Sequence, residues 1–368
     1  MNNKKFETYF DCGLSKIRAG SFGIDNLKNI FYEESEFFFN HLNIESEIQK
    51  IIISLEKKTK EYLDSVNLMI DSNKMLSVGI SISKKIDGSN LKKEDIKFLI
   101  QDAKQQVLRN HNNQNIVHII IKNYKIDGIK YTLLPSDIKC NLISLDILFI
   151  CLPKETTEYY KKIFFKLGIS VGQIFCSSYA KSINYKNNFS STTNMSFVDI
   201  GFNKTSITCY VKDEIISLSV LPIGGNHITK DIANILKIKL ENAEKIKLCF
   251  DKNQNFLDEK KISIDLIQKI IFARIEEILE LSLKIIKINL KDLDKFKMVL
   301  MGSGSAILDN EYKEKISFSN KIDFLEETTD DICRSGLKLS KAPNMQEVVL
   351  IPQKYKKKGF FEKLFHRF

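Results

Sequence analysis

Phe197-Val198-Asp199-Ile200-Gly201-Phe202-Asn203-Lys204-Thr205-Ser206-Ile207-Thr208-Cys209-Tyr210-Val211 is the stretch on which the reading of the whole chain turns. Its first four residues are a short apolar run of the kind that becomes a buried strand. Gly201 breaks the run where a tight turn could need a positive φ. From Ser206 the residues alternate, with Ile207, Cys209 and Val211 on one face of a second strand and Ser206, Thr208 and Tyr210 on the other. Lys212-Asp213-Glu214 turns the chain into a third strand at residues 215–221. Past Pro222, Gly224-Gly225 lets the backbone come close to a neighbour, and Ile228, Ile232, Ile235 and Leu236 then recur at helical spacing.

The start of the chain repeats this logic. Thr8-Tyr9-Phe10-Asp11-Cys12-Gly13-Leu14-Ser15-Lys16-Ile17-Arg18-Ala19 is again an apolar strand, an Asp-x-Gly turn and a second strand. Two such turns, at Asp11 and Asp199, are what the facing halves of an actin-like α/β ATPase require. Phosphates need a backbone cradle on each wall, with carboxylates nearby to hold hydrated Mg²⁺. Val299-Leu300-Met301-Gly302-Ser303-Gly304-Ser305-Ala306-Ile307 reads as a strand, a small-residue loop and a helix start. Such a loop lets a flat adenosine lie against the backbone.

Leu221-Pro222-Ile223-Gly224-Gly225-Asn226-His227-Ile228-Thr229-Lys230-Asp231-Ile232-Ala233, followed by Ala243-Glu244 and Lys247, resembles the FtsA family of cell-division proteins. His118 through Gly128 and Leu167-Gly168-Ile169-Ser170-Val171 resemble other parts of that family. The resemblance implies an actin-like, ribonuclease-H-like duplicated two-lobed α/β fold with an inserted αβ subdomain and a C-terminal amphipathic helix. The implied layout is 1–83 and 169–195 as subdomain 1A, 84–168 as the insertion 1C, and 196–228 with 291–330 as 2A. Residues 229–290 are then 2B, 331–353 a linker and 354–368 the terminal helix. ATP and Mg²⁺ are the implied cofactors, and at most weak ATPase activity is expected. The implied nucleotide contacts are Asp11, Gly13, Ser15, Lys16, Gly201, Lys204, Thr205, Gly224, Gly225, Asn226, Glu244, Lys247, Gly302, Ser303 and Gly304. Asp11 and Asp199 would serve the metal.

The chain departs from the family at the second turn. The usual Asp-x-Gly-Gly-Gly-Thr is Asp199-Ile200-Gly201-Phe202-Asn203-Lys204-Thr205, so side chains stand where amides should approach a phosphate. Ser206 occupies the usual acidic position, and no general base is left to position water. Lys204 could instead neutralise a phosphate. Leu14 replaces the usual Thr of the first turn, and the chain is trimmed near residues 253–264. Glu244 and Lys247 share a helix face and are either nucleoside neighbours or a surface ion pair. A pilus-assembly scaffold of the PilM type, which tolerates a degenerate second turn, is the alternative reading. A kinase or hydrolase of the same superfamily would need a catalytic carboxylate and a substrate loop that the motifs do not show.

Composition adds limits. A chain of 368 residues, 43% hydrophobic and 28% charged, is of globular type and too long for one core. The net charge of +10 comes from lysines spread along the chain and concentrated only at its end. The seven cysteines form no Cys-x-x-Cys pair, and the five histidines have no ligand spacing, which speaks against disulfides and a His/Cys metal site. His118 reads as a packed strand residue. The N-terminus lacks the apolar core of a signal peptide, so a cytoplasmic protein is expected. Patterning places helices at 45–67, 91–110, 155–167 and 264–283, and strands at 76–83, 118–128 and 146–152.

Two partner sites follow from the resemblance. Ile271-Phe272-Ala273-Arg274-Ile275-Glu276-Glu277-Ile278 resembles the helix that FtsA offers to the tail of the tubulin-like protein FtsZ, with Arg274 facing an acidic, apolar peptide. Lys354-Tyr355-Lys356-Lys357-Lys358 then precedes a terminal segment in which Phe360, Phe361, Leu364, Phe365 and Phe368 make one apolar stripe. That stripe beside a basic block reads as a peripheral anchor for the anionic inner membrane at the division site. Self-assembly into filaments and contacts with later division proteins complete the implied partners; nothing reads as nucleic-acid binding.

Overall fold

The computed structural model describes residues 5–25, 30–36, 44–135, 137–189, 194–249, 263–290, 296–305, 307–308, 313–314, 322–341 and 347–348. The first half begins with β1 (Phe6–Cys12), β2 (Lys16–Gly23), β3 (Ile30–Glu36), α1 (Ile44–Thr59) and β4 (Ser65–Ile70). An insertion follows: β5 (Leu76–Lys85), α2 (Lys93–Asn110), β6 (Gln114–Ile126), β7 (Ile129–Tyr131) and β8 (Leu142–Pro153). The chain returns through α3 (Lys154–Lys166), β9 (Ser170–Cys176) and α4 (Ser177–Lys186). The second half is β10 (Asn194–Ile200), β11 (Thr205–Val211), β12 (Glu214–Leu221), α5 (Gly225–Leu236), α6 (Leu240–Cys249), α7 (Ile264–Asn289), β13 (Phe296–Met301) and β14 (Ile322–Phe324). A last helix, α8 (Thr329–Lys341), comes back to the first half.

The duplication read from the two turns is present as architecture. One five-stranded sheet runs β3-β2-β1-β4-β9 and the other β12-β11-β10-β13-β14. In each, an antiparallel hairpin is followed outward by a parallel strand, β4 beside β1 and β13 beside β10. The insertion forms its own four-stranded sheet, β5-β8-β6-β7.

Alternation of side chains divides the second sheet between two cores. Val198, Ile200, Ile207, Cys209, Met298 and Leu300 face α5 and α7. Met195, Phe197, Tyr210, Val299 and Met301 face the other way and join the core of the first half. The alternation expected at Ile207, Cys209 and Val211 against Tyr210 is therefore realised, because a period of two allows a sheet to serve two layers. Asp199 lies between Val198 and Ile200 and so points with Phe197 toward the first half.

Several expected boundaries shift. The helix read over 45–67 ends at Thr59, and Val66 lies instead in the central strand β4. Lys60 takes a φ of 57°, and Thr59 turns its hydroxyl back to the Leu55 carbonyl at 2.8 Å, which closes the helix end. The insertion spans β5 to β8. Tyr160, Ile163 and Phe164 of α3 pack into the core of the first half, so α3 belongs to that half. Gly201 does not adopt a positive φ, whereas Gly302 does, at 92°.

The linker expected from residue 331 is, up to Lys341, helix α8. Its buried Ile332, Cys333, Leu337 and Leu339 join the first core, which a linker would not do. Farther on, Glu347 bridges to Ile120 of β6, and the Val348 amide donates to the Ile119 carbonyl at 2.8 Å. The buried His118 places Nδ1 2.6 Å from Glu347 Oε1 and accepts the Cys176 amide on Nε2 at 2.9 Å. Its role as a packed residue is thereby accounted for. The terminal helix at 354–368, with Phe360, Phe361, Leu364, Phe365 and Phe368, and the trimmed stretch at 253–262 lie outside the described residues. No described helix is long and apolar enough to cross a membrane.

Because α8 closes the first core, Leu337→Ala should lower unfolding free energy by about 2–5 kcal/mol, the usual cost of emptying a buried leucine site. Urea denaturation measures this; an unchanged midpoint would mean that the helix does not contribute to the core.

Candidate functional site

Parallel strands of an open α/β sheet leave a crevice at their carboxyl ends. Asp11 ends near β1, Asp71 follows β4, Ser177 follows β9, Asp199 lies near the end of β10 and Gly302 follows β13. These ends converge on one cleft with about 730 Å³ of empty space, part of it open to solvent. Of the expected contacts, Asp11, Gly13, Ser15, Lys16, Asp199, Gly201, Lys204, Gly302 and Ser303 line it together.

The rest of the expected set is packed behind the cleft. The Thr205 hydroxyl donates to the Ile223 carbonyl at 2.7 Å, joining the second hairpin to the entry of α5. The amides of Gly225 and Asn226 donate to the carbonyls of Gly201 and Phe202 at 2.9 and 2.7 Å. A helix N-terminus normally offers such amides to an anion; here the second turn consumes them. A Cβ on Gly224 would come within 2.7 Å of the Lys204 nitrogen, so this glycine is required by turn-to-helix packing. Gly302 and Gly304 are similarly tight: a Cβ on either would collide with Asp199 or Ile200.

Glu244 and Lys247 are not a surface ion pair. Both are buried, 2.7 Å apart, and Lys247 also donates to the Gly225 carbonyl and to Thr229 Oγ1 at 3.2 and 2.9 Å. Burial pulls the Lys247 pKa down, and Glu244 only partly offsets it. The pair supports the Gly224-Gly225 bend from below without lining the cleft.

The floor of the cleft holds residues that motif reading missed. Lys181 of α4 places Nζ 2.9 Å from Asp199 Oδ2 and 3.3 Å from Glu327 Oε2. Lys204 of the second turn places Nζ 2.9 Å from Asp71 Oδ2 and 3.1 Å from Ser178 Oγ, and also bonds Ser206. Asp11 accepts from Ser177 at 2.7 Å and from Arg18, its cross-strand partner, at 3.2 Å. Burial opposes the charge on Lys181, but Asp199, Glu327 and Asp11 outweigh it and raise its pKa. Burial would likewise raise Asp199, and Lys181 and Lys204 reverse that and hold it low. Glu327 goes the other way, pushed up by burial.

The cleft is suited unequally to the two implied cofactors. A nucleotide finds the open first turn on one wall and the Gly302-Ser303 loop above it. A divalent ion at Asp11 and Asp199 does not fit. Both carboxylates already accept from cationic side chains, and among the described residues no three His, Cys, Asp or Glu are grouped to hold a metal. The physical reason is that Lys181 brings a fixed positive charge to the place where the carboxylates converge.

The model of the cell division protein FtsA matches residues 196–349. The chain resembles FtsA. The FtsA of Agrobacterium fabrum is 22% identical over 256 residues, covering 65% of this chain and 57% of that protein. The FtsA of Buchnera aphidicola from Acyrthosiphon pisum is 25% identical over 355 residues, covering 84% of this chain and 83% of its own. The chain thus spans little more than half of some FtsA relatives and most of others. Among solved structures, a PilM–PilN type IV pilus biogenesis complex aligns with a TM-score of 0.61 at 13% identity, covering 89% of each chain. The MreB 5 of Spiroplasma citri bound to AMPPNP aligns with a TM-score of 0.50 at 11% identity, covering 92% of this chain and 97% of its own. At these identities the likeness is one of fold, and the fold is actin-like. The matched region holds the second turn, the Gly-Gly-Asn bend and Gly302.

Lys247→Met removes one partner of a buried pair, which costs about 3–5 kcal/mol. The double variant Glu244→Leu/Lys247→Met should recover most of that loss, since an apolar pair leaves no charge stranded. Chemical denaturation of the two variants and the parent checks the order; equal midpoints for single variant and parent would place the pair in solvent.

Proposed function

We propose that this protein acts in bacterial division as FtsA does: an actin-fold scaffold that ties filaments of FtsZ to the inner face of the cell membrane. The observation that carries the reading is the family match over the second half, set within a duplicated actin-like architecture. ATP in the cleft would then be a ligand that stabilises one arrangement of the halves. Ser206 stands where the family carries an acidic residue after the second turn, so turnover is proposed to be slow or absent. Self-assembly and contacts with later division proteins belong to the same reading.

Arg274 on α7 is the proposed contact for the FtsZ tail. In the free protein it forms a forked pair with Asp231 of α5, at 2.7 and 3.0 Å, and also meets Glu277. Hydrogen bonding to Asp231 raises its pKa, so its charge is permanent. Its side chain is one-quarter exposed, which leaves an edge for an acidic peptide. Arg274→Glu puts a third carboxylate beside Asp231 and Glu277 and should weaken binding of an FtsZ tail peptide by about tenfold or more. Undiminished binding, measured by fluorescence anisotropy, would locate the tail site elsewhere.

Membrane attachment rests on the sequence pattern of residues 354–368 alone. Several phenylalanines and a basic block give reversible binding that strengthens when many copies align. Flotation with anionic liposomes should recover the full chain and not a chain ending at Pro352. Equal recovery of the two would remove the anchor.

A further inference from the structure

We propose that the cleft takes its nucleotide without a divalent ion, the ammonium of Lys181 standing where an actin-like ATPase would hold its metal. The inference rests on the nucleotide reading above and goes beyond it. Three observations support it. Asp199 and Glu327, two of the acidic groups that line the cleft, converge on Lys181 Nζ at 2.9 and 3.3 Å. The Gly302 amide donates to the same Glu327 oxygen at 2.9 Å, so that carboxylate is held by N–H donors. The ammonium of Lys181, with three N–H donors, already meets the oxygens at which a metal would have to bind. Lys181 lines the cleft and spends two of those donors on the carboxylates, which leaves one for a phosphate oxygen.

The second turn gives the same message. Its neighbouring helix amides are occupied by Gly201 and Phe202, so phosphate neutralisation on that wall has to come from side chains. Lys204, fixed by Asp71 and Ser178, supplies a second buried positive charge on that wall. Two lysines anchored to the protein thus replace what a metal ion carries in with its nucleotide.

A fluorescent ATP analogue titrated onto the full chain, once with Mg²⁺ and once with excess EDTA, tests this. Affinities equal to within about a factor of two are expected. A loss of about tenfold or more in EDTA overturns the inference and leaves nucleotide binding standing. Absence of binding in both conditions instead removes the nucleotide reading, and the inference with it. Lys181→Gln frees Asp199 and Glu327, so that variant should become dependent on Mg²⁺. Retention of metal-free affinity in the folded variant would show that Lys181 is not the cation. If the variant does not fold, the comparison on the parent protein still decides.

Discussion

Two lysines cross the cleft in opposite directions, and the relation between the halves depends on them. Lys181 comes from α4 after the first sheet and reaches Asp199 of the second. Lys204 comes from the second hairpin and reaches Asp71 after the first sheet. Each is nearly excluded from water, where an unpaired charge would be very costly. Neither half can therefore move far from the other without stranding a carboxylate and an ammonium together. The two sheets share an apolar core on one side of this floor, through Phe197, Tyr210 and Met301. Apolar contact holds the halves together broadly, while the crossed pairs fix their register.

The fold was largely legible in the sequence because its signals are local. Apolar runs closed by Asp-x-Gly turns foretold both hairpins, and the alternation from Ser206 foretold which residues share a face of the second strand. Long stripes located the helices of the insertion and α7. The site was legible only in part. Asp11, Gly13, Lys204 and Gly302 announce themselves by position in a motif. Asp71, Lys181 and Glu327 do not, since what gives them meaning is convergence from distant parts of the chain. Asp71 left no trace either, because the strand before it reads in sequence as the end of a helix.

The readings that failed did so for physical reasons. Leu63 and Val66 continue the helical spacing of α1, yet Val66 is claimed by sheet pairing with β9, and tertiary pairing overrides a local stripe. Residues 331–341 look polar because small residues such as Ser335 and Gly336 make part of the buried face of α8: a Cβ on Gly336 would fall within 2.9 Å of the Tyr9 ring. Glycines at 224 and 304, read as nucleotide contacts, are small because a neighbouring turn or strand already fills the space.

The return of the chain to β6 at Glu347 and Val348 has a mechanical meaning. If the protein ties a filament to a membrane as proposed, pull on the chain beyond Val348 would arrive first at this short bridge. The His118–Glu347 contact and the Val348 amide bond would have to rupture before force reached α8. His118 also receives the amide of Cys176, the residue that precedes α4 and Lys181. Tension at the tail would thus reach the start of α4, the helix that carries Lys181.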